Sequence, residues 1–537
     1  MKYGSTMDDL NVIIVVMDSL RQDHVSFYNE GRRIFDRVPA ARTPNIDRFA
    51  LDSAVFRRLY PSGLPTIPQR TELITGRFTL PYKGWSPLNP DDLPISATMK
   101  RQGYVTALIS DTYHMFKPGY NFYSYMDFWE FVRGQEYDPH GIPPPRNRRV
   151  EDYSNEIMRK DPAYVGLLSK FLSNIDDFSD DREDDWFPAR VFSHASRWLL
   201  EHHKKGKFFL WVDSFDPHEP WEHPHGYDKE YRDPEARPRL ILPKGGMATS
   251  WANQDEIDDI RSLYAGEVTF VDASFGKFYD TLRELGLLDN SVIVLLADHG
   301  HPLADHGKFL KGGDRLYGEL LSIPFMISLP KDIKAELGIR HRVEGLATVA
   351  DVLPTIFDLL SLRQEAVQLA GRSLLPLMTG ESEGRDYVIA GYHEAPDRAV
   401  MTRNYRFISR PEGQSDELYD LSTDPRETHN LVDELPEVAK SMARYLVGTW
   451  GFGRQTYVKG LQGKYELMRE VRGMLEVESG QFLLSPRVWR KGLRLNDLYN
   501  FKVSLLSART ALEHRARFDT QSLEMTKTSY APNSYGQ

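Results

Sequence analysis

The chain has 537 residues, 41% hydrophobic and 27% charged, the composition of a globular protein with a large core and not of a disordered one. Its 67 basic and 77 acidic residues leave a formal charge of −10, and no long basic run offsets it, which argues against nucleic acid or an anionic membrane as partner. It has no cysteine, so disulfides, thiolate metal sites and a cysteine nucleophile are excluded.

The run VIIVVM near the start is too short to cross a membrane and lacks the flanks of a secretory signal, so the cytoplasm is the expected compartment. With its neighbours it reads NVIIVVMD, a β-branched stretch ending in an acid, as a central parallel strand opening on a site would. TPNIDRFALDSA follows with a helical pattern and a Thr/Asp-rich start. Next comes GLPTIPQRTELITGR, in which Thr66, Pro68 and Arg70 lead into a predicted helix. A hydroxyl at a helix N-terminus sits where backbone N–H groups and the helix dipole favour an anion; capping of the helix is the competing reading.

YVTALISD is the second predicted strand, and residues 130–190, rich in Pro, Arg and Asp, read as a long irregular insertion. KFFLWVDSF is the third strand and runs into SFDPHEPW, where His218 stands between prolines, able to protonate a leaving group or simply to hold a loop. AGEVTFVDASFGKFYDTLRELG is helical and ends in glycine, and SVIVLLADHG is the fourth strand. The loop ADHGHPLADHGKFLKGG packs three histidines and two aspartates together. Residues 386–449 predict a small antiparallel sheet with a helix, and residues 450–537 a polar helical tail.

Alternating strands and helices give an α/β class, with a large doubly wound, mostly parallel sheet over residues 1–385 and the smaller subdomain and tail after it. The four strands end in Asp18, Asp111, Asp213 or Asp216, and Asp298 with His299, and open α/β sheets bind ligands at such ends. Carboxylates from Asp18 and Asp298 with the His299 imidazole would suit a divalent ion: manganese, zinc, calcium or magnesium.

In order, NVIIVVMDSLRQDH, TPNIDRFA, IPQRTELITGR, DPHEPW, VIVLLADHG, DHGKFLKGG, GRSLLPLMTG and ELYDLSTDPRETHNL resemble the motif series of the sulfatase family, in the alkaline phosphatase superfamily, over about residues 11–432. In type the chain is most similar to phosphonate monoester hydrolase and phosphodiesterase-like members. Sulfatases carry C-x-P-x-R, whose cysteine or serine becomes the catalytic formylglycine. On Pro68 and Arg70 that position is Thr66, which cannot give formylglycine.

The resemblance implies one metal ion per chain, held by Asp18, Asp298 and His299 with Thr66 completing its sphere. Arg70, Lys311 and His218 would surround the transferring group and its leaving oxygen, with Lys308 the alternative to Lys311. Ser19 replaces the family's second strand-end aspartate, which weakens the case for calcium and makes manganese the expected ion. At SDTYHMF, where many sulfatases carry G-K-x-H, His114 stands for the histidine and Thr112 for the lysine. Ser19, Thr112 and His114 are thus the expected substrate-binding set, one cation short, which suits a less highly charged substrate such as a diester unless Arg133 enters the pocket. A two-metal site would need further ligands from His301, His306, Asp216 and Asp305.

The expected reaction is hydrolysis of a small anionic ester: a phosphate diester or monoester, or a phosphonate monoester, attacked by Thr66. Sulfate ester hydrolysis without formylglycine and a catalytically silent binding protein are the alternatives. The tail suggests a homodimer or homotetramer by analogy with the phosphonate monoester hydrolase branch.

Overall fold

The structure is a computed structural model that describes residues 10–362, 369–447, 475–478 and 481–484. In chain order its main strands are Asn11–Met17 (β1), Ser53–Tyr60 (β2), Gly63–Leu64 (β3), Val105–Ser110 (β4), Phe128–Phe131 (β5), Phe208–Ser214 (β6), Ser291–Leu296 (β7), Phe325–Ser328 (β8), Arg342–Thr348 (β9), Val388–Tyr392 (β10), Arg398–Met401 (β11), Tyr405–Ser409 (β12) and Glu417–Asp420 (β13).

The large sheet has the order β5-β4-β6-β1-β7-β8-β2-β9. Every pairing from β5 to β7 is parallel, as is β2 with β9, whereas β8 runs antiparallel to both β7 and β2. The four strands read from the sequence, β4, β6, β1 and β7, are consecutive neighbours. β1, β6 and β7 are buried at every position, which is why their sequences are continuous apolar runs and do not alternate. The chain passes from β1 to β2 on one side of the sheet and later to β4, β5 and β6 on the other, so β1 sits where the order reverses and the carboxyl ends of these strands open on a switch-point crevice.

The helix predicted from TPNIDRFALDSA spans only Pro44–Leu51, with proline in its first turn, and Ser53 already belongs to β2. Pairing of SAVFRRLY with both β8 and β9 overrides the helical pattern there. The long helix Gln254–Glu284 begins in a capping box of Asn253 and Glu256 and is followed by Gly286 at φ 70°. It packs on Phe187–His202 and Pro44–Leu51, covering the sheet.

The span 130–190 is not irregular throughout. It holds the helix Pro162–Asn174, capped by the Asp161 carboxylate and burying Leu168, Phe171 and Leu172. Its apolar spacing is helical, but the Pro, Arg and Asp on either side mask it in the sequence.

The second sheet has the order β13-β12-β11-β10-β3, and the helix Pro436–Val447 packs on β11 and β12. Its core includes Leu64 of β3 and, from the larger sheet's side, Tyr60, Leu316 and Leu320. β3 pairs with β10 and lies immediately before Thr66, so this sheet anchors the chain just ahead of the candidate nucleophile. The predicted tail 450–537 and its oligomer contact lie outside the described residues, except for Leu475–Glu478 and Gln481–Leu484, which pair as antiparallel strands. No helix among the described residues is long and apolar enough to cross a membrane.

Candidate active site

The helix Thr66–Thr75 is buried at all ten positions, and Thr66 is its first helical residue. Pro65 occupies the cap position and no side chain caps the helix, so the Thr66 hydroxyl is not spent on capping. The Glu72 carboxylate accepts from the Gly63 and Thr79 N–H groups, each at 2.9 Å, and ties both flanks of the helix together. A side chain on Gly63 would stand 2.0 Å from Thr79 Oγ1, so only glycine fits.

One turn on, Arg70 is wholly buried among three carboxylates. Its Nε and Nη2 donate to Asp213 at 3.0 and 2.7 Å, while Nη1 lies 2.6 Å from Asp298 Oδ2 and 3.1 Å from Asp18 Oδ2. One guanidinium thus draws together the ends of β1, β6 and β7, in the bidentate geometry that favours Arg over Lys. Thr112 Oγ1 and Trp211 Nε1 also donate to Asp213, at 2.6 and 3.1 Å. The Thr112 hydroxyl therefore orients Asp213, not a ligand.

This cluster is short of positive charge. Burial, then Asp298, push the Asp18 carboxyl well above its ordinary range despite Arg70. The Arg70 contact is not aligned as a hydrogen bond, which leaves Asp18 Oδ2 buried without a partner; His299 Nε2 is likewise buried and unpartnered. His299 Nδ1 lies 2.9 Å from the Gly300 carbonyl, and burial lowers the imidazole to about 4, so Nδ1 carries the proton and Nε2 presents a lone pair. Ligand atoms of Asp18, Asp298 and His299 all lie within 4.8 Å of one another. Orphaned buried atoms, excess carboxylate and a neutral imidazole fit a divalent cation.

Ser19 braces this group. At φ 63° its hydroxyl donates to Asp18 Oδ1 at 2.9 Å, its N–H to Asp298 Oδ1 at 3.1 Å, and its carbonyl accepts from Tyr264 at 2.8 Å. Its hydroxyl is engaged with the Asp18 carboxylate, a candidate metal ligand, and not with the substrate expected from the sequence.

On another wall, His218 Nε2 lies 2.6 Å from Lys311 Nζ, and His218 Nδ1 donates to the Glu219 carbonyl at 2.5 Å. Burial, then Lys311, hold His218 well below its ordinary range, so the ammonium donates and the imidazole accepts. Glu219 Oε2 is 3.4 Å from Lys311 and 3.3 Å from both His218 and His301. Lys308 instead pairs with Asp314 at 2.6 Å near the surface.

The four candidate ligands for a second ion do not converge. Asp216 accepts from Gln135 at 2.7 Å, Asp305 pairs with Arg21 at 2.8 Å, His306 pairs with Glu319 at 2.7 Å, and His301 faces Glu219. Among the described residues, Asp18, Asp298 and His299 are the one group with metal-ligand spacing.

His114 lies on the far side of Phe215, whose ring stacks on His218 at 4.1 Å and stands 5.9 Å from His114. Arg133 does not enter the pocket but pairs with Asp138 at 2.6 Å. Glu136, three residues on, is buried 2.9 Å from His114 Nε2. Sequence reasoning missed both Glu136 and Glu219. The second adjoins His218 in the chain and could have been flagged by it, whereas the first carries no local signal.

The Sulfatase family profile matches residues 10–362. The chain belongs to the sulfatase family. A profile described as N-sulphoglucosamine sulphohydrolase, C-terminal, matches residues 304–448. Similar sulfatase-family relatives include an Arylsulfatase of Clostridium perfringens, 24% identical over 85% of this chain and 95% of the relative. Another is an Endo-4-O-sulfatase of Bacteroides thetaiotaomicron, 25% identical over 81% and 90%. Among solved structures, the fold is similar to a phosphonate monoester hydrolase of Agrobacterium radiobacter, with TM-score 0.61, 19% identity, and coverage of 89% of this chain and 99% of that one. Family members generally bind a divalent metal, and this sulfatase-family chain, a hydrolase of ester bonds, has a candidate site for one.

Proposed function

We propose that the chain hydrolyses esters of phosphorus, phosphate diesters or monoesters or phosphonate monoesters, with Thr66 as covalent nucleophile. The observation that supports this most is an uncapped threonine at the first position of a buried helix, one turn from the arginine that gathers the candidate metal ligands. A formylglycine hydrate frees sulfate by collapsing to the aldehyde, a route closed to a threonine ester, so water must attack the central atom. Phosphorus esters accept that second displacement.

In this reading the Thr66 hydroxyl passes its proton to solvent water as its oxygen bonds phosphorus, the bond to the alcohol breaks, and the alcohol takes a proton from the Lys311 and His218 pair, which regains one from the water that attacks next. Water then displaces Thr66. A divalent ion held by Asp18, Asp298, His299 and Thr66, manganese by preference, would lower the hydroxyl pKa and offset charge on the ester oxygens. Arg70 keeps the two carboxylates in place.

Sulfate ester hydrolysis is the second reading, favoured by the names of the relatives. Purified enzyme assayed on an aryl sulfate, phosphate monoester, phosphate diester and phosphonate monoester decides between them. Higher kcat/KM on a phosphorus ester is expected, and preference for the sulfate would sink the proposal.

A further inference from the structure

Glu136 reaches His114 by an elaborate local construction. After β5 the chain turns at Gly134, at φ 114°, where a side chain would stand 3.0 Å from Phe187 Cε1. The Asp138 carboxylate accepts from Arg133 Nε at 2.6 Å and from the Gly134 N–H at 2.8 Å. Asn174 Nδ2 donates to the Gly134 and Asp138 carbonyls at 2.7 and 2.9 Å. Gln135 donates to Asp216 at 2.7 Å and accepts from the Glu136 N–H at 2.9 Å. All this holds Glu136 at φ 51°, a left-handed conformation that a non-glycine residue adopts at a cost and that recurs where function needs it.

The carboxyl so placed meets one partner, His114 Nε2, at 2.9 Å. His114 keeps 9% of its surface, and its other ring nitrogen, Nδ1, is buried with no protein partner. Its surroundings include the rings of Tyr113, Trp85 and Phe215 at 4.1, 4.8 and 5.9 Å and the charges of Lys117, Arg70 and Lys311. A buried ring nitrogen with no protein partner, under the influence of these cations, is free to bond an anion that they attract. Burial keeps Glu136 up at about 8 and His114 down at about 2, so both are neutral near pH 7 and the carboxyl is the donor between them.

We propose that Glu136 is a positioning residue: bonded to His114 Nε2, its carboxyl fixes the imidazole with the proton on Nδ1 and turns Nδ1–H into a donor for an oxyanion of the substrate. A His114 with the opposite tautomer would present a lone pair to the same oxygens and repel them. The inference rests on the pocket being an oxyanion site, as in the function proposed above.

Two measurements test it. In ¹⁵N-histidine-labelled protein loaded with diamagnetic magnesium, with the His114 signal identified by its loss in His114→Ala, wild type should show a neutral ring protonated on Nδ1, and Glu136→Leu should shift it toward Nε2. In calorimetric titrations with inorganic phosphate, Glu136→Leu and His114→Ala should each weaken binding about tenfold, the double variant no more than either, and Glu136→Gln by under about threefold, since its amide can also donate to Nε2. A wild-type proton on Nε2, unchanged phosphate affinity in a folded Glu136→Leu, or additive losses in the double variant would each overturn the proposal. Wild type that binds phosphate in this way yet cleaves no phosphorus ester would instead refute the proposed function and leave this assignment standing.

Discussion

Lys311 Nζ stands 2.6 Å from His218 Nε2, and Glu219 Oε2 lies within 3.4 Å of both side chains. With His218 Nδ1 bound to a carbonyl, one proton serves this contact and Lys311 brings it. If the pair protonates the departing alcohol, its value depends on how much help that alcohol needs. Lys311→Ala should lower kcat/KM about 10²-fold or more on an alkyl ester but under about tenfold on a p-nitrophenyl ester. Equal losses on both would assign Lys311 to binding the anion instead.

Thr66 should behave as a nucleophile and not as a spacer. Thr66→Ala is expected to lose roughly 10³-fold or more in kcat with a slow phosphonate ester, whereas Thr66→Ser should keep most of it. Acid-quenched wild type should carry a phosphonyl adduct on the peptide containing Thr66. Near-normal turnover by the alanine variant would end the assignment.

The carboxylates around Arg70 give a metal prediction. Metal analysis of protein purified without chelator should find about one divalent ion per chain, and Asp298→Asn should lose it. A chelator should abolish turnover, and manganese restore it. Since an ion that binds only the folded state stabilises by RT ln(1 + [L]/Kd), about 2.7 kcal/mol at a hundredfold excess over Kd, chelation should also lower the melting temperature of wild type but not of Asp298→Asn. About two ions per chain would contradict the single-site geometry.

These predictions concern residues of unequal legibility. Asp18, Asp298 and His299 could be read because wholly buried parallel strands spell continuous β-branched runs, and a polar residue ending such a run has little reason to be there except a site. Arg70 was legible as a motif residue, but its three carboxylate partners come from three separate strands that only the sheet order brings together. β2 is not among the strands read from the sequence: the helical pattern of TPNIDRFALDSA runs over its first two residues, and SAVFRRLY becomes a strand through β8 and β9. Glu136 was the least accessible. Its segment has no periodicity, and Asn174 and Asp216, which pin its turn, lie 40 and 81 residues from their partners.

His306 offers a stability test outside the proposed chemistry. Burial, the largest single influence, lowers its pKa, but the hydrogen bond from Nδ1 to Glu319 at 2.7 Å, the charge of Glu319, and the carbonyl and charge of Glu427 together outweigh it and raise the imidazole to about 9. Because the folded value lies above the unfolded 6.5, the folded state binds more protons between the two. The stabilisation is fully present below about pH 6.5 and is lost as pH rises through 9, about 3 kcal/mol at most, less what solvent screens at this partly exposed side chain. Glu72, Asp111 and Glu136, raised by burial to about 7, 7 and 8, lose stability over an overlapping range, so wild type alone cannot isolate the pair. The difference in unfolding free energy between wild type and Glu319→Gln can. It should be largest near pH 6 and shrink steadily toward pH 10, and a difference independent of pH would show that His306 is not charged beside Glu319.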